Sequence, residues 1–388
     1  MSSLLLNRAD QLTKHLADTI ILCAFPPVTF VDLFVTDDCN LRCPYCFVHG
    51  KRPKYLDIET ARAAVDFLIR ESRDDQDVTI LFIGGEPLLN MPVIEFVVEQ
   101  GRKAAREAGK RMHFNITTNG TLLNEDILRF FRQNQIPFLL SIDGGKETQD
   151  RYRRYADGGG SFDTIASIMP LIKKYNPWVG VRMTPTPETV ALLYDNVRSL
   201  HELGANQYII GIATGIPWTD AELAVYESEL NRVADWYVRM KKRGADIRIN
   251  QFGEGNKERL GNMRFMWGCG AGRGRISVAT DGEIQGCAKV QGLNSLSGLK
   301  SFGNVHTGWG DLAARYAFLS TMLMLRKDCF GCDLVTDCAG GCPAVNWEST
   351  GSIYQSDCVQ CKATKVGTMA KAKVIAKLSK NGKRDYRP

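Results

Sequence analysis

The twelve cysteines of this 388-residue chain are distributed very unevenly, and this distribution limits how the chain can fold more than any other feature. Residues 47–268 contain none, whereas residues 269–361 contain eight. An even number of cysteines is typical of disulfide-bonded secreted proteins, but Arg8 and Asp10 follow a short leucine run and spoil a signal-peptide pattern. In a reducing cytoplasm, clustered cysteines are more often thiolate ligands to metal. We therefore expect a cytoplasmic protein with metal–thiolate sites.

The composition is that of an ordinary globular protein, with 44% apolar and 24% charged residues. The net charge of +6 lies mainly in residues 365–388, which contain eight lysines and arginines and one aspartate. The rest of the chain is nearly neutral, which argues against a nucleic-acid partner, and the basic end is interpreted as a solvated tail. Pro26, Pro27 and Asp32 interrupt the longest apolar run, so we expect no membrane-spanning segment.

Between the cysteine groups, short apolar runs alternate with segments of helical period. The predicted strands are residues 29–36, 78–83, 113–118, 138–142, 179–184 and 207–213. The predicted helices are residues 58–72, 92–108, 125–134, 163–175 and 189–203, with Asn90 and Asn124 as N-caps. Strands that are apolar on both faces and joined by helices indicate an α/β fold with a parallel sheet covered on its outside. Six strand–helix units are too few for a closed eight-stranded barrel, which leaves an open doubly wound sheet or a partial barrel.

Distinctive residues follow four of these strands, at the positions where chemistry occurs in either architecture. They are Cys39, Cys43 and Cys46, then Gly84-Gly85-Glu86-Pro87, then Thr117-Thr118-Asn119-Gly120, then Ser141-Ile142-Asp143-Gly144. Three thiolates within eight residues can bind one [4Fe–4S] cluster and leave its fourth iron open for another ligand. A structural zinc site with His49 as the fourth ligand is the alternative.

The spacing Cys39-x3-Cys43-x2-Cys46, with Tyr45 before the last cysteine, resembles the signature of the radical SAM superfamily. That resemblance implies a partial (β/α)6 barrel in which the open iron of the cluster binds the amino and carboxylate groups of S-adenosylmethionine (SAM). It also implies that reduction of the cluster cleaves SAM to methionine and a 5′-deoxyadenosyl radical, which abstracts hydrogen from a substrate. The cofactor supplies this chemistry, and the protein supplies ligands, orientation and a dry cavity.

The same resemblance assigns the binding of SAM to residues near the strand ends. The set is Tyr45, Gly84, Gly85, Glu86, Asn119, Ser141, Asp143 and Arg153. In the glycine-rich motif, the glycines allow the backbone to approach the ligand closely and Glu86 accepts from the cofactor's ammonium group. The resemblance places Asn119, Ser141 and Asp143 around the ribose and the carboxylate. Arg153 resembles an arginine that binds the carboxylate.

The second cysteine group resembles the seven-cysteine SPASM domain, which binds two auxiliary [4Fe–4S] clusters in addition to the first. Its pattern is Cys-x12-Gly-x4-Cys from residue 269, then Cys-x2-Cys-x5-Cys-x3-Cys from residue 329. The resemblance assigns Cys329, Cys332, Cys338 and Cys358 to the distal cluster, and Cys269, Cys287 and Cys342 to the cluster nearer the barrel. Our candidate for the fourth ligand of the nearer cluster is Cys361, and an open iron that binds substrate is the alternative. A zinc knuckle within residues 329–342 is a second alternative.

These patterns divide the chain into five parts. They are an N-terminal extension (1–28), a radical SAM partial barrel (29–218), a bridging helix and connector (219–261), a SPASM domain (262–364) and a basic C-terminal tail (365–388). The cysteine-rich part has little apolar periodicity, so its folding is expected to depend on bound metal. Cys23 is interpreted as a buried apolar residue. A core or supporting role is predicted for Arg182, Thr184 and Tyr208 in preference to contact with substrate.

Enzymes that combine these two domains mostly modify peptides. The resemblance therefore implies a radical SAM enzyme, a peptide-modifying oxidoreductase or lyase, that matures a ribosomally synthesised precursor peptide by crosslinking, splicing or oxidation. A radical oxidoreductase or isomerase acting on a small molecule is the alternative, and a metal-stabilised binding module without activity is a third hypothesis. A sulfatase-maturating enzyme is disfavoured because Ala288 follows Cys287, where those enzymes have an aspartate base.

Two protein partners follow from the same interpretation. About 28 residues precede the first strand, fewer than a leader-binding domain requires, so leader recognition is expected to use a separate small protein. Reduction of the cluster requires an electron donor such as flavodoxin or ferredoxin.

Overall fold

The computed structural model describes residues 25–253, 270–297, 299–320, 327–329, 331–334, 338 and 340–379. The strands are β1 Phe30–Thr36, β2 Asp77–Gly84, β3 Arg111–Thr118, β4 Phe138–Ser141, β5 Gly180–Met183, β6 Gln207–Ile210, β7 Arg248–Ile249, β8 Arg275–Val278, β9 Glu283–Gln285, β10 Gly303–Asn304 and β11 Gly308–Trp309. The helices are α1 Ile58–Glu71, α2 Met91–Glu107, α3 Glu125–Gln133, α4 Lys146–Tyr152, α5 Phe162–Tyr175, α6 Leu193–Leu203, α7 Asp220–Lys242, α8 Ala288–Ser297, α9 Leu312–Leu319, α10 Pro343–Thr350 and α11 Cys358–Ser379. Cys23 and Cys269 lie outside the described residues.

The first six strands form a parallel sheet whose spatial order follows their order in the sequence, from β1 to β6. Each connection between them contains at least one helix, and right-handed crossovers that never reverse direction place these helices on one face of the sheet. A doubly wound sheet would reverse its strand order at a switch point. The partial-barrel prediction is therefore confirmed.

The cysteine-rich region continues this sheet and does not form a separate layer. Strand β8 pairs in parallel with β1, so that Phe30 lies opposite Arg275 and Leu33 lies opposite Val278. Strands β9, β10 and β11 extend the same edge with antiparallel pairing, and β7 extends the opposite edge beyond β6. The sequence predicted a distinct domain from residue 262, but the four-residue β8 joins the two parts through backbone hydrogen bonds.

The sheet buries one face under the helices and leaves the other face accessible. In β4, Leu140 is fully buried, whereas its neighbours Leu139 and Ser141 are half-buried. In β5, Arg182 is exposed although the residues on both sides of it are fully buried. The prediction of strands buried on both faces is confirmed for β1, whose residues from Val31 to Thr36 are all buried, but it is wrong for β4 and β5. The open face is the inner face of the partial barrel, opposite the helices.

One of the two predicted helix caps is present. The Asn124 side chain accepts a hydrogen bond from the backbone N–H of Ile127 at 3.0 Å, which caps α3. Asn90 occupies the N-cap position of α2 as predicted, but its side chain makes no capping hydrogen bond. Its amide instead donates to the carbonyl oxygens of Val35 at 2.8 Å and Leu56 at 3.1 Å. Asn90 therefore ties the turn after β2 to β1.

The predicted basic tail is helical as far as Ser379. Helix α11 packs along α7, and its residues Ala370 and Val374 belong to the main hydrophobic core. Lys373 and Lys377 both pair with Asp235 of α7, at 3.1 and 2.6 Å. The lysines that suggested a solvated tail thus lie beside buried residues of an amphipathic helix. No helix within the described ranges is long and apolar enough to cross a membrane.

Candidate active site at the carboxyl ends of the strands

Cys39, Cys43 and Cys46 lie in the loop that follows β1, and none of them forms a disulfide. The backbone N–H of Cys46 donates to the carbonyl oxygen of Cys43 at 3.1 Å, which tightens the loop. The Cys39 sulfur faces two donors, the backbone N–H of Leu41 at 3.4 Å and Nδ2 of Asn119 at 3.9 Å. Donors aimed at sulfur stabilise the thiolate form, which is the form that binds metal.

Burial opposes ionisation of these thiols in the metal-free chain. It raises the pKa of Cys39 to about 11 and also raises the pKa of Cys43. A bound metal centre would supply the positive charge that stabilises the thiolates. Across the described ranges, no three Cys, His, Asp or Glu side chains converge as they would on a single ion. Each thiolate of a four-iron cluster binds a different iron, so three separated thiols in one loop fit a cluster of this kind.

The two glycines after β2 are required by contact with the start of the cysteine loop. A Cβ on Gly84 would lie 2.2 Å from the carbonyl oxygen of Thr36, and a Cβ on Gly85 would lie 1.9 Å from that of Asp38. The N–H of Gly85 donates to the same oxygen of Thr36 at 2.9 Å. The sequence analysis attributed these glycines to close approach of a ligand. In the structure they allow close approach of the backbone that leads into Cys39.

Glu86 is buried beneath the cysteine loop, and its carboxylate accepts three hydrogen bonds from protein groups. The donors are the Thr118 hydroxyl at 2.7 Å, the Asn119 N–H at 2.7 Å and the Leu88 N–H at 3.2 Å. Burial raises the pKa of Glu86 to about 7, and these three donors oppose the shift. Glu86 is therefore a buried acid that joins the end of β3 to the turn after β2.

Asn119 continues this network into the cysteine loop. Its Nδ2 donates to the side-chain oxygen of Asn40 at 2.8 Å, and Asn40 is the residue after Cys39. Its side-chain oxygen accepts from the N–H of Thr121 at 3.0 Å. Asn119 thus has several contacts within the protein in addition to the cofactor contact that the sequence predicts for it.

Asp143, Arg153 and Tyr45 form a second buried network at the end of β4. The Arg153 guanidinium donates to both oxygens of Asp143, at 2.8 and 3.1 Å, and the Tyr45 hydroxyl donates to Asp143 as well. The backbone N–H of Thr184 adds a fourth bond to Asp143 at 2.8 Å. Burial lowers the pKa of Arg153, but neighbouring anionic groups, with Asp143 foremost, raise it above its usual value. The Asp143–Arg153 pair holds Tyr45, the aromatic residue of the cysteine loop, in place.

The remaining strand-end residues differ in their placement from what the sequence predicted. Tyr208 is fully buried and donates to the carbonyl oxygen of Ala205, which confirms a core role. Ser141 is half-buried on the open face, and within the described part of the chain its hydroxyl has no hydrogen-bond partner. Arg182 lies in register with Ser141 on the same face and is exposed, so its predicted core role was wrong.

The sequence analysis missed a buried ion pair between β1 and β8. Asp32 is fully buried, and its two oxygens accept from Nη2 and Nε of Arg275 at 2.6 and 2.9 Å. Asp32 also accepts from the backbone N–H of Ala288 at 3.1 Å, at the start of α8. The sequence does contain a signal for this pair, because Asp32 is a lone acidic residue inside an apolar strand. Buried carboxylates are rarely unpaired, so a cationic partner could have been expected.

Cys287 and Cys342, which the resemblance assigns to the nearer auxiliary cluster, directly precede α8 and α10. These two helices pack against each other, and Lys289 of α8 pairs with Glu348 of α10 at 2.7 Å. Lys289 also donates to the hydroxyl of Thr214, beyond β6, at 2.8 Å. The structure therefore brings the helices that follow these two cysteines together beside the barrel.

Cys361 lies near cysteines that the resemblance assigns to the distal cluster. Cys332 and Cys329 share one turn, in which the Cys332 N–H donates to the Cys329 carbonyl oxygen at 3.3 Å. Burial raises the pKa of Cys361, and the nearby sulfurs of Cys338, Cys332 and Cys329 raise it further. Cys361 thus lies near the cysteines predicted for the distal cluster, although it was our candidate for the nearer one. Cys358, one turn earlier on α11, is exposed.

A profile of the radical SAM superfamily matches residues 33–228, just over half of the chain. This segment contains the cysteine loop, the second half of β1, strands β2 to β6 and both buried networks. The chain therefore belongs to the radical SAM superfamily.

Similar proteins extend the comparison over most of the chain. TigE, a radical SAM cyclopropyl synthase of Paramaledivibacter caminithermalis, is 23% identical over 362 residues, which cover 87% of this chain and 72% of TigE. The structure of anSMEcpe with bound AdoMet and Cp18Cys peptide has a TM-score of 0.75 at 19% identity, covering 91% of this chain and 99% of that one. SuiB of Streptococcus suis bound to precursor peptide SuiA has a TM-score of 0.60 at 15% identity, and the match covers 90% of this chain and 80% of the SuiB chain. The chain spans only 34% to 58% of the length of several other curated relatives.

Proposed function

We propose that this protein is a radical SAM enzyme that abstracts hydrogen from a ribosomally synthesised precursor peptide and so modifies it. The observation on which this proposal mainly rests is the placement of the Cys39–Cys46 loop against two buried polar networks at the open edge of a parallel sheet. One network centres on Glu86 and the other on Asp143. Three thiols held in one loop beside these buried networks suit the binding of a metal cluster at this end of the sheet.

Cys39, Cys43 and Cys46 are the proposed ligands of the catalytic [4Fe–4S] cluster. When bound and reduced, the cluster and SAM supply the 5′-deoxyadenosyl radical that the superfamily uses. Asn119 holds the loop through Asn40, which keeps Cys39 in place while the cluster assembles. The protein thereby orients the ligands before the cofactor arrives, which lowers the cost of binding.

The residues at the ends of β2 to β4 are proposed to orient SAM. Ser141 has an accessible hydroxyl on the open face, which suits a polar group of the cofactor. Arg153 neutralises Asp143, so the pair offers a fixed dipole without net charge. Glu86, when ionised, would accept a hydrogen bond from an ammonium group of the cofactor, and such a bond would lower its raised pKa.

Two auxiliary clusters are proposed for the cysteine-rich region. Cys269, Cys287 and Cys342 would hold the nearer one, and Cys329, Cys332 and Cys338 would hold the distal one with Cys358 or Cys361. The proximity of Cys361 to three distal cysteines favours it there, which leaves the nearer cluster with three cysteine ligands. An iron without a fourth cysteine can bind a substrate group directly.

A peptide substrate is supported by the comparisons and by the shape of the site. The anSMEcpe and SuiB structures contain peptides, and both have folds similar to this chain. The open face from Leu139 to Arg182 leaves room for an extended ligand beside the proposed SAM site. A separate leader-recognition protein and a flavodoxin or ferredoxin are the proposed partners. A cleft of about 430 Å³ on the outside of the cysteine loop includes Cys39 in its lining and gives a reductant an approach to the cluster.

The proposed function is tested by anaerobic co-expression of the enzyme with each short peptide encoded beside its gene. Intact and fragment mass spectrometry should find a mass change confined to one peptide, such as the loss of two hydrogens for a crosslink. The same peptide co-expressed with Cys43→Ala should keep its mass. SAM cleavage by the purified enzyme, combined with no mass change in any of these peptides, would favour a small-molecule substrate and overturn the peptide assignment.

A further inference from the structure

Arg182 presents a cationic side chain to the cavity of the partial barrel. It is exposed on the open face of β5, between Val181 and Met183, which are fully buried under the helices. Among the described residues, no carboxylate or carbonyl group pairs with its guanidinium.

The surroundings of Arg182 leave its charge without compensation. Ser141 lies opposite it on β4, and Asp143 beyond Ser141 already receives both ends of the Arg153 guanidinium. Burial lowers the pKa of Arg182, the Arg153 charge lowers it further, and Asp143 offsets only part of the effect. The Arg182 cation is partly desolvated and has the Arg153 cation nearby, so this site favours an anionic ligand. Charge-assisted hydrogen bonds from Arg182 to such a ligand are strong.

Gly211, directly after β6, sets the direction of this guanidinium. A Cβ on Gly211 would lie 2.9 Å from Nη2 and 3.3 Å from Cζ of Arg182. The absence of a side chain there lets the guanidinium lie against the backbone. Arg182 therefore leans toward β6 and away from β1, β2 and β3, whose loops contain the cysteines, Glu86 and Asn119. Gly211 lies three residues before Thr214, which accepts a hydrogen bond from Lys289 of α8.

We propose that Arg182 binds a carboxylate group of the substrate and thereby selects an acidic residue, or a chain end, beside the position that loses hydrogen. The planar guanidinium suits two parallel hydrogen bonds to a carboxylate. Lys289, the other cation on this side, is already paired with Glu348. The peptide nature of the substrate rests on the proposed function. The carboxylate of SAM is the other possible source of the same chemistry, and the test separates the two.

The first part of the test measures SAM binding to reconstituted holoenzyme by equilibrium dialysis. The dissociation constant for SAM in Arg182→Gln should remain within about threefold of the wild-type value. A loss of about tenfold or more, the cost of a lost charged hydrogen bond, would assign Arg182 to the cofactor and overturn the substrate proposal.

The second part uses two probes of nearly equal shape, N-acetylglutamate amide and N-acetylglutamine amide, with SAM-loaded holoenzyme. Saturation-transfer NMR should show that the wild type binds the glutamate probe about tenfold more tightly. Arg182→Gln should abolish this preference and Arg182→Lys should retain part of it. Arg198→Gln, which removes an exposed arginine from α6, should leave it intact. A wild-type enzyme without any preference would overturn the proposal.

Gly211→Ala provides a second route if Arg182→Gln fails to fold. Its new methyl group should displace the flexible end of Arg182 without changing the charge of the site, so the glutamate preference should fall while SAM binding holds. An unchanged preference in Gly211→Ala would contradict the placement argued above. The NMR test measures only binding, so neither probe has to be modified by the enzyme. Failure of the co-expression experiment would therefore refute the peptide function, while the NMR test could still succeed or fail independently.

Discussion

The carboxylate of Asp32 on β1 accepts a hydrogen bond from the backbone N–H of Ala288 at 3.1 Å, although the two residues are 256 positions apart. Ala288 begins the helix that follows Cys287, and it packs with Phe34 and Val48 beside the cysteine loop. Asp32 also pairs with both ends of the Arg275 guanidinium. One buried acid of the barrel thus positions a predicted auxiliary-cluster cysteine relative to the catalytic loop.

Replacing Asp32 with asparagine should therefore destabilise the junction between the barrel and the cysteine-rich region. We expect the loss of this ion pair to lower the free energy of unfolding by about 3 kcal/mol. This value is low for a buried pair because Arg275 is partly exposed. The melting temperature of the holoenzyme should fall, and iron should be lost from the nearer auxiliary cluster. Lys54→Gln breaks the exposed pair with Asp281 across the same junction and should cost less than about 1 kcal/mol. Equal effects of the two variants would count against Asp32 as the junction residue.

Glu86 should make the stability of the cofactor-free chain depend on pH. Its pKa is about 7 in the folded state and 4.5 in the unfolded state, so the folded state holds the proton more tightly. The stabilisation that protonated Glu86 gives to the folded state is complete below about pH 4.5. It is lost as the pH rises toward 7, and the free energy of unfolding falls by up to about 3 kcal/mol. The wild type should lose more stability than Glu86→Gln between pH 5 and 8 in thermal melts.

Glu125→Gln is the control for this comparison, because pairing with Tyr175 and Lys174 lowers the pKa of Glu125. The stability that Glu125 contributes is present above its unfolded pKa and is lost only at more acidic pH. Glu125→Gln should therefore follow the wild type between pH 5 and 8. Parallel pH profiles for the wild type and Glu86→Gln would show that Glu86 is ionised throughout this range.

Gly85→Ala should disrupt the catalytic cluster specifically. The new Cβ would collide with the backbone oxygen of Asp38, one residue before Cys39, and backbone cannot move aside as cheaply as a flexible side chain. Iron analysis should show that roughly four of twelve irons are lost, which corresponds to one of three clusters. Gly367→Ala on α11 meets nothing within 4 Å and should retain all of them. Full iron content in Gly85→Ala would contradict this prediction, because it would show that the cysteine loop tolerates the added Cβ.

Tyr45→Phe should weaken SAM binding while leaving the fold intact. The Tyr45 hydroxyl donates to Asp143, and its loss leaves a buried carboxylate with one donor fewer. Because this network adjoins the proposed cofactor site, we expect the dissociation constant of SAM to rise about tenfold. Tyr155→Phe removes the surface hydrogen bond to Thr164 and should leave SAM binding unchanged. Identical dissociation constants for Tyr45→Phe and the wild type would remove Tyr45 from the binding site.

Most of the barrel could be predicted from the sequence because its signals are local. Each strand is a short apolar run, each helix has a periodic apolar face, and α7 lies within the bridging segment predicted for residues 219–261. Cys39, Cys43 and Cys46 were identified by spacing alone, since all three lie in one loop. Asn90 shows where such reasoning fails, because its side chain bonds to β1 across 55 positions and not to its own helix.

The parts that were missed depend on pairing between distant segments. Strand β8 is four residues long and is defined by its partner β1, so its own sequence has too little pattern to identify it. The lysines of α11 indicated a solvated tail because the sequence does not show that Asp235 lies beside them. Arg182 was assigned a core or supporting role because its position on an apolar strand does not show that this face of the sheet is open.

The most direct test of the account is the conversion of SAM to 5′-deoxyadenosine by the reduced, reconstituted enzyme, measured beside Cys43→Ala. The wild type should form 5′-deoxyadenosine, and the variant should form none while it retains roughly eight of twelve irons in the auxiliary clusters. Formation of 5′-deoxyadenosine by Cys43→Ala, or no formation by a fully iron-loaded wild type, would contradict the assignment of the Cys39–Cys46 loop as the catalytic centre.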